Sequence, residues 1–413
     1  MRIGINGRFL VAKRTGVQRA AYNLIKTLVA IDRDNEYFIF TGEDQVGRTE
    51  WQYPNVTVVP STIRGGESIR NHFWEQFTLP RLAKRYNVDL LHSPANVAPL
   101  FYRGKSVVNI HDLCFVVNPQ WYSFSFRTAY NFIIPRLAKR AARVITNSNH
   151  ARNDLLQFFD LPADRVSFGH WAVDDTFLGS REEADSSASM KSAEIIDDVV
   201  EGDFILYVGS LEPRKNIKTL IEAYEQLRMR RPELTTKLVL IGGESPLFAD
   251  VRLKIKKFKE DVIFKGFVGD ETLRLYYRKA GLMVYPSLYE GFGLPPLEAM
   301  ASGTPVVTSM TSSIPEVVGD AALMVSPYDV SQLADTMGRV LTDEALRIDL
   351  IARGYKRVAR FNWYRVARNT LAVYYEVHQV DGDGVGKSFL PFETWKRLVQ
   401  IEENSMAPLL GNT

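Results

Sequence analysis

The residues best placed to do chemistry lie in Tyr285-Pro-Ser-Leu-Tyr-Glu-Gly-Phe-Gly-Leu-Pro-Pro-Leu-Glu-Ala-Met-Ala-Ser-Gly-Thr-Pro, which leaves an apolar strand, turns on Gly291 and Gly293 and opens a helix. Pro295 and Pro296 suit the first helical turn, where the missing N–H would have no intrahelical partner anyway. The backbone donors remaining at that helix end come from Phe292, Gly293 and Leu294, and with the helix dipole they make a site for an anion. Glu290 and Glu298 stand on either side, one before the turn and one expected inside the first helical turn, where a carboxylate is often only a dipole partner. A second loop, Tyr207-Val-Gly-Ser-Leu-Glu-Pro-Arg-Lys-Asn-Ile, carries the opposite charge. Arg214 and Lys215 fall at the expected start of a helix, the end at which cations are disfavoured. Two cations there need an anion, and a phosphate supplies one: Arg grips it in bidentate fashion while Lys acts as a point charge.

The elements that must position these loops follow a βαβ rhythm. In the first half, strand-like runs at Arg2 to Ile5, Tyr37 to Phe40, Val56 to Val59, Val88 to Leu91, Ser106 to Ile110 and Arg143 to Asn147 alternate with helical stretches at 16 to 31, about 67 to 87, 123 to 142 and 148 to 159. The rhythm breaks between Asp174 and Asp203, where the stretch from Gly179 is polar and without period, and restarts with strands at Phe204 to Val208, Lys237 to Ile241, Asp261 to Phe264, Leu282 to Pro286, Pro305 to Thr308 and Leu323 to Val325. Near-continuous apolar strands separated by helices imply parallel sheets covered on both faces. The expected fold class is therefore α/β, with two doubly wound Rossmann-like domains and a cleft between them, since ligands of such sheets bind at the carboxyl ends of the strands. The expected limits are 1–175 for the first domain, 176–203 for a linker or insertion, 204–362 for the second domain, 363–380 for a terminal helix packing back on the first domain, and 381–413 for a tail.

Composition narrows the class. The chain has 413 residues, 46% of them hydrophobic and 24% charged, enough to build globular cores. A single cysteine, Cys114, excludes an internal disulfide and a zinc site made of cysteine pairs. The apolar stretch after Arg2 is broken by Asn6, Arg8, Lys13 and Arg14, so no signal-peptide core is present, and a cytoplasmic protein is expected. No apolar run approaches the length of a membrane span. Residues 1–180 carry 22 Lys/Arg against 15 Asp/Glu, a net of +7, and the remainder carries 29 against 33, a net of −4. That asymmetry fits an anionic partner such as a membrane surface or a phosphate-bearing ligand, or else a solvated basic face. The hexapeptide Pro-Arg-Leu-Ala-Lys-Arg occurs at 80–85 and 135–140, each copy preceded by aromatic residues, Phe73, Trp74 and Phe77 in one case and Tyr130 and Phe132 in the other. Such helices suit anionic lipid headgroups; burial of the apolar face on the sheet is the alternative.

The loops Gly209 to Asn216 and Glu290 to Glu298, the latter a Glu-seven-residues-Glu motif, resemble the signature of the retaining GT-B glycosyltransferases of family 4. The likeness extends from Arg2-Ile-Gly-Ile-Asn-Gly-Arg-Phe-Leu and Thr15-Gly-Val-Gln-Arg through His111-Asp112 to about Val380, and in style it is nearest to bacterial enzymes that add mannose or rhamnose to O-antigen and exopolysaccharide chains. The resemblance implies that Arg214 and Lys215 neutralise the donor diphosphate and that Glu298 holds the ribose hydroxyls. Glu290, with the amides of Phe292, Gly293 and Leu294, would grip the donor sugar. Gly16, in the first βα loop, would let backbone approach the diphosphate, and His111 would contact the transferred sugar; Asp112 would orient His111 or cap the next segment. No cofactor or metal is implied, only a nucleotide diphosphate sugar such as GDP-mannose as donor, a glycan or polyprenyl-linked oligosaccharide as acceptor, and no nucleic acid. No protein base for the acceptor is evident. The family's proton is thought to leave through the departing phosphate, whose charge fixed dipoles and cations stabilise.

Other apparent sites read as structural. Asp381-Gly-Asp383 resembles the acid pair of a different, metal-dependent fold but follows the last expected helix and has no cluster of ligands nearby. Ser313-Ile-Pro-Glu316 reads as a capping box. Cys114 reads as a small apolar residue. The tail from Asp381, with an amphipathic piece around Phe392 to Glu402, has no assigned role.

Overall fold

The computed structural model describes residues 1–12, 15–63, 69–178, 199–200, 203–243 and 261–379, with 394, 397, 400 and 401. Asp381 to Asp383, most of the expected linker 176–203 and most of the tail lie outside the described residues. The chain forms two compact units, one of Met1–Trp171 with Asn362–Thr413 and one of Ala172–Phe361.

The first unit holds a seven-stranded sheet of β1 (Arg2–Asn6), β2 (Glu36–Gly42), β3 (Val56–Ser61), β4 (Leu90–Ser93), β5 (Lys105–Asn109), β6 (Arg143–Thr146) and β7 (Val166–Phe168), in the order β3-β2-β1-β4-β5-β6-β7. All pairings are parallel; Ile5 lies opposite Ile39 on one side and His92 on the other. Ile3, Ile5, Leu90, Val107 and Val144 are fully buried, which is why these strands read as apolar runs without alternation. The helix Gly16–Ile31 turns Leu24, Ile25, Leu28 and Val29 inward at helical spacing. Each such side chain contributes about 1.5–3 kcal/mol on burial.

The terminal helix Trp363–Gln379 belongs to this unit and packs against the helix Gly16–Ile31. Its Tyr374 hydroxyl bonds His92 Nδ1 at 2.6 Å, and His92 Nε2 meets Asn109 Oδ1 at 2.8 Å. Burial pushes the His92 pKa down to about 4, against the pull of Asn109, so the ring is neutral. With Tyr374 donating to Nδ1, the ring proton sits on Nε2 and donates to Asn109.

The second unit repeats the design with β8 (Phe204–Val208), β9 (Lys237–Ile241), β10 (Val262–Gly266), β11 (Leu282–Tyr285), β12 (Val306–Ser309) and β13 (Leu323–Val325), all parallel, in the order β10-β9-β8-β11-β12-β13. Beyond the strand ends, Gly242 (φ 145°) runs so close to the neighbouring loop that a Cβ there would stand 2.0 Å from the Gly209 carbonyl oxygen, so only glycine fits. Both units are therefore doubly wound. The strand order reverses between β1 and β4 in one and between β8 and β11 in the other, the positions at which such sheets open a ligand crevice at their carboxyl ends.

Candidate functional site

The two loops singled out by their chemistry leave the neighbouring strands β8 and β11, on either side of the second unit's crevice. Pro213–Lys215 forms a single 3-10 turn and Asn216, in the left-handed conformation (φ 57°), starts the helix Ile217–Arg230. Arg214 and Lys215 thus precede the helix and do not open it. Asn216 Nδ2 donates to the carbonyls of Pro286 and Pro327, and the Leu288 amide donates to the Arg214 carbonyl at 2.8 Å, which stitches one loop to the other.

Charge is concentrated inside this seam. The Lys215 ammonium is 6% exposed; it donates to Glu290 Oε1 at 2.5 Å and to the Tyr285 hydroxyl, while Tyr285 donates to the same carboxylate at 2.9 Å. Arg214 reaches Glu290 Oε2 at 3.1 Å and Glu212 at 2.8 Å. Burial would raise the Glu290 pKa, but Lys215 and Arg214 outweigh it and hold the carboxyl at about 2. Lys215 is lowered by burial and by Arg214, with Glu290 opposing. The anion that the two cations require is thus in the first instance Glu290 itself, 75 residues along the chain from Lys215.

The helix after β11 runs Leu294–Ala301, capped by Gly293 at φ 115°, where a Cβ would also meet Ile314 Cδ1 at 2.7 Å. Phe292 is buried and packs edge-on against Phe361, so the 292–294 amides sit on a fixed turn. Glu298 is the fifth residue of the helix, in its second turn and not its first as expected, because the helix begins one residue before the prolines. Its carboxylate is 5% exposed and accepts from the Tyr277 hydroxyl at 2.8 Å. Ser313 is not a capping box either. Its backbone is already helical, and its hydroxyl bonds the carbonyls of Glu290 and Phe292, both at 2.8 Å, while the Glu290 amide donates to Ser312 Oγ.

His111 and Gly16 lie in the first unit. His111 follows β5, is 2% exposed and packs edge-on against Trp171 at 4.7 Å. Nε2 meets the Pro94 carbonyl at 3.1 Å, which fixes the proton there, and Nδ1 is a buried acceptor without a partner among the described residues. Burial pushes its pKa down to about 3, so it is a neutral ring with a lone pair to offer. Asp112 Oδ1 accepts from the Cys114 amide at 3.0 Å, just before the short helix Cys114–Val117. Cys114 is buried. Gly16 is the exposed first residue of the helix Gly16–Ile31 and not part of a loop, since a short helical turn at Arg8–Val11 intervenes.

Two protein-family models match the chain: Glycosyltransferase Family 4 over residues 14–177 and Glycosyl transferases group 1 over residues 193–357. It is 32% identical over 277 residues to the O-antigen chain mannosyltransferase B of Escherichia coli, a match that covers 65% of this chain and 70% of that one. The chain belongs to these glycosyltransferases. It is also 34% identical over 275 residues to the serotype-specific mannosyltransferase WbdA of Escherichia coli, covering 64% of this chain but only 32% of that longer protein. Among solved structures it resembles sucrose-phosphate synthase from Thermosynechococcus elongatus (TM-score 0.69, 20% identity, 92% of this chain and all of that one). It also resembles Anabaena HepE in complex with UDP and glucose (TM-score 0.65, 18% identity, 91% and 100%). These likenesses establish the GT-B fold of the glycosyltransferase.

In the second unit the structure brings Arg214 and Lys215 onto Glu290, just before the Phe292–Leu294 turn, while Glu298 sits further along the helix, bonded to Tyr277. Sequence reasoning missed Tyr285, Glu212 and Ser312 and took Ser313 for a cap, yet these residues bond directly to the Arg214–Glu290 cluster or its turn. Tyr285 had a signal, a phenol as the last residue of an apolar strand at its ligand-binding end. The serines had none that a local pattern could separate from a cap.

Proposed function

We propose that this glycosyltransferase moves mannose, with retention of configuration, from a nucleotide diphosphate sugar, GDP-mannose in the first instance, to a glycan acceptor that is lipid-linked, in surface polysaccharide synthesis. The observation that carries the reading is the pairing of Arg214 and buried Lys215 on the buried Glu290, beside a glycine-turned helix start at a sheet crevice. A diphosphate displacing part of Glu290's hold would find two cations and fixed amide dipoles already oriented, the arrangement that stabilises charge on a leaving phosphate. Glu298 takes the ribose and His111 a hydroxyl of the transferred sugar in this reading. The mannosyltransferase relatives support the sugar and the polysaccharide, and a structural neighbour solved with UDP and glucose supports a nucleotide-linked donor. Release of GDP from GDP-mannose should require acceptor and leave an α-linked product by NMR. Release without acceptor, conversion of the donor to another sugar nucleotide, or transfer to inorganic phosphate would replace this reading with an epimerase or phosphorylase. A nucleotide at 100 times its Kd should add about 2.7 kcal/mol to stability, so a thermal-shift panel identifies the base, while detectable sugar transfer excludes an inactive nucleotide-binding module.

A peripheral seat on an anionic membrane is part of the proposal. No described helix is long and apolar enough to cross a membrane. Phe73, Phe77, Phe124 and Phe132 are all exposed large apolar side chains. The two hexapeptides prove more alike than their flanks suggest: Arg81 and Arg136, each directly after a proline, donate to the carbonyls of Phe77 and Phe132, both exposed and both four residues earlier. Binding to vesicles containing phosphatidylglycerol should fall with salt and with Arg136→Glu plus Lys139→Glu, each basic residue being worth about 1 kcal/mol at such a surface. Cosedimentation indifferent to lipid charge would remove this element.

A further inference from the structure

The charged side chains at the second unit's crevice meet around a neutral one. Tyr285 is the last residue of β11 and is fully buried. Its backbone is held from both sides, because β11 pairs with β8 and with β12; Tyr285 lies opposite Thr308, whose hydroxyl donates to the Tyr285 carbonyl at 2.7 Å. Its ring stacks on that of Tyr207 in β8, with centroids 6.1 Å apart and planes at 17°. Tyr207 is itself fully buried and spends its hydroxyl on the Ser210 carbonyl. The Tyr285 phenol oxygen is thus the end of a stiff arm with little conformational entropy left to lose. For packing alone phenylalanine would serve, with the same stack and no hydroxyl to take out of water.

The groups that meet this oxygen are less stiff. Lys215 reaches it on a flexible stem, and Glu290 lies in the turn after the strand. Lys215 Nζ, Tyr285 Oη and Glu290 Oε1 close a triangle in which the ammonium donates to both oxygens and the phenol donates to the carboxylate. Burial and the charge of Glu290 push the phenol's pKa well above its ordinary value, so it keeps the proton that it donates. The other charged group on Glu290 is Arg214, on Oε2, with Glu212 behind it. Among the described residues Lys215 Nζ has these two acceptors, which leaves one of its three N–H groups for a ligand. In the reaction as read above, a diphosphate draws on Lys215 and Arg214, the same cations that hold Glu290. The bond from the neutral phenol takes no part in that competition. A donor fixed before the reaction needs no reorganisation during it.

We propose that Tyr285 is a positioning residue of the transfer reaction, its phenol holding the Glu290 carboxylate in place for the transferred sugar while Lys215 and Arg214 turn to the diphosphate. The proposal rests on the function read above and acts through Glu290, with no contact of its own to sugar or nucleotide. The test is a double-mutant cycle on the full chain with GDP-mannose and acceptor. Tyr285→Phe keeps the ring, its stack and the direct Lys215–Glu290 bond. It should lower kcat about tenfold and leave the donor KM, and GDP affinity by calorimetry, within about threefold. In the Glu290→Gln background the same change should cost less than about twofold, because the residue through which it acts is already altered. Tyr207→Phe removes the neighbouring phenol but not the bond to Glu290, and should keep kcat within about twofold. Turnover is counted per GDP-binding site, so a poorly folding fraction lowers the number of sites and not kcat. Full turnover in Tyr285→Phe, equal fold losses in both backgrounds, an equal loss in Tyr207→Phe, or a loss confined to GDP affinity would overturn the assignment. An unchanged chain that transfers no sugar from GDP-mannose would refute the reading of the function and this proposal with it, whereas a transferring enzyme indifferent to Tyr285→Phe would refute this proposal alone.

Discussion

Lys215→Ala should weaken GDP binding by roughly one to two orders of magnitude and destabilise the fold at the same time. The first effect is the loss of a charge-assisted contact to the diphosphate, about 1.5–3 kcal/mol. The second follows from the burial of Lys215. Removing one partner of a buried ion pair strands the other charge, at a cost of about 3–5 kcal/mol when nothing else compensates. Arg214 and Tyr285 still face Glu290, so about 2–3 kcal/mol is the expected loss by denaturant titration at pH 7. The pH dependence has a definite sign. Glu290 is held at about 2 in the folded chain against an ordinary 4.5, so its contribution is complete above 4.5 and disappears as pH falls towards 2. The difference in stability between the unchanged protein and Lys215→Ala should shrink through that window. A folded Lys215→Ala protein with undiminished GDP affinity would remove Lys215 from the diphosphate site.

What could be read from the residues, and what could not, divides by range. The strands were legible because most are near-continuous apolar runs buried on both faces and bounded by turn residues, β3 and β10 being partly exposed; β7 escaped because three residues show no period. The need of Arg214 and Lys215 for an anion was legible from the charge alone. Its first supplier was not, because the Lys215–Glu290 contact forms only once β8 and β11 lie side by side. Ser313 shows the same limit in reverse. A local rule assigned its hydroxyl to its own helix, and tertiary structure took it for the carbonyls of Glu290 and Phe292. The first unit's crevice was the least legible. Nothing in Asn-His-Phe-Trp-Glu announces the π-helical turn Trp74–Thr78, and the buried Asn6 and Glu75, which bond each other there, are 69 residues apart. In each case the missing information was the neighbour across the sheet.

Glu290→Gln and Glu298→Gln should fail in opposite ways, although both replace a buried carboxylate by its neutral isostere. Glu290 is assigned to the transferred sugar, and a charged hydrogen bond that tightens in the transition state is worth a few kcal/mol, so kcat should fall by roughly two orders of magnitude. GDP should bind the variant at least as tightly as before, because Lys215 and Arg214, no longer neutralised by Glu290, turn their full charge on the diphosphate. Glu298 is assigned to the ribose. In Glu298→Gln the side-chain amide carbonyl can still accept from Tyr277, so folding should hold, while the lost charge weakens the ribose hydrogen bonds and raises the donor KM about tenfold or more with kcat nearly intact. Steady-state kinetics with GDP-mannose, together with calorimetry of GDP, separate the two. Were Glu290→Gln to keep its turnover and bind GDP more weakly, Glu290 would belong to the nucleotide, and the two carboxylates would have to exchange roles or lose them.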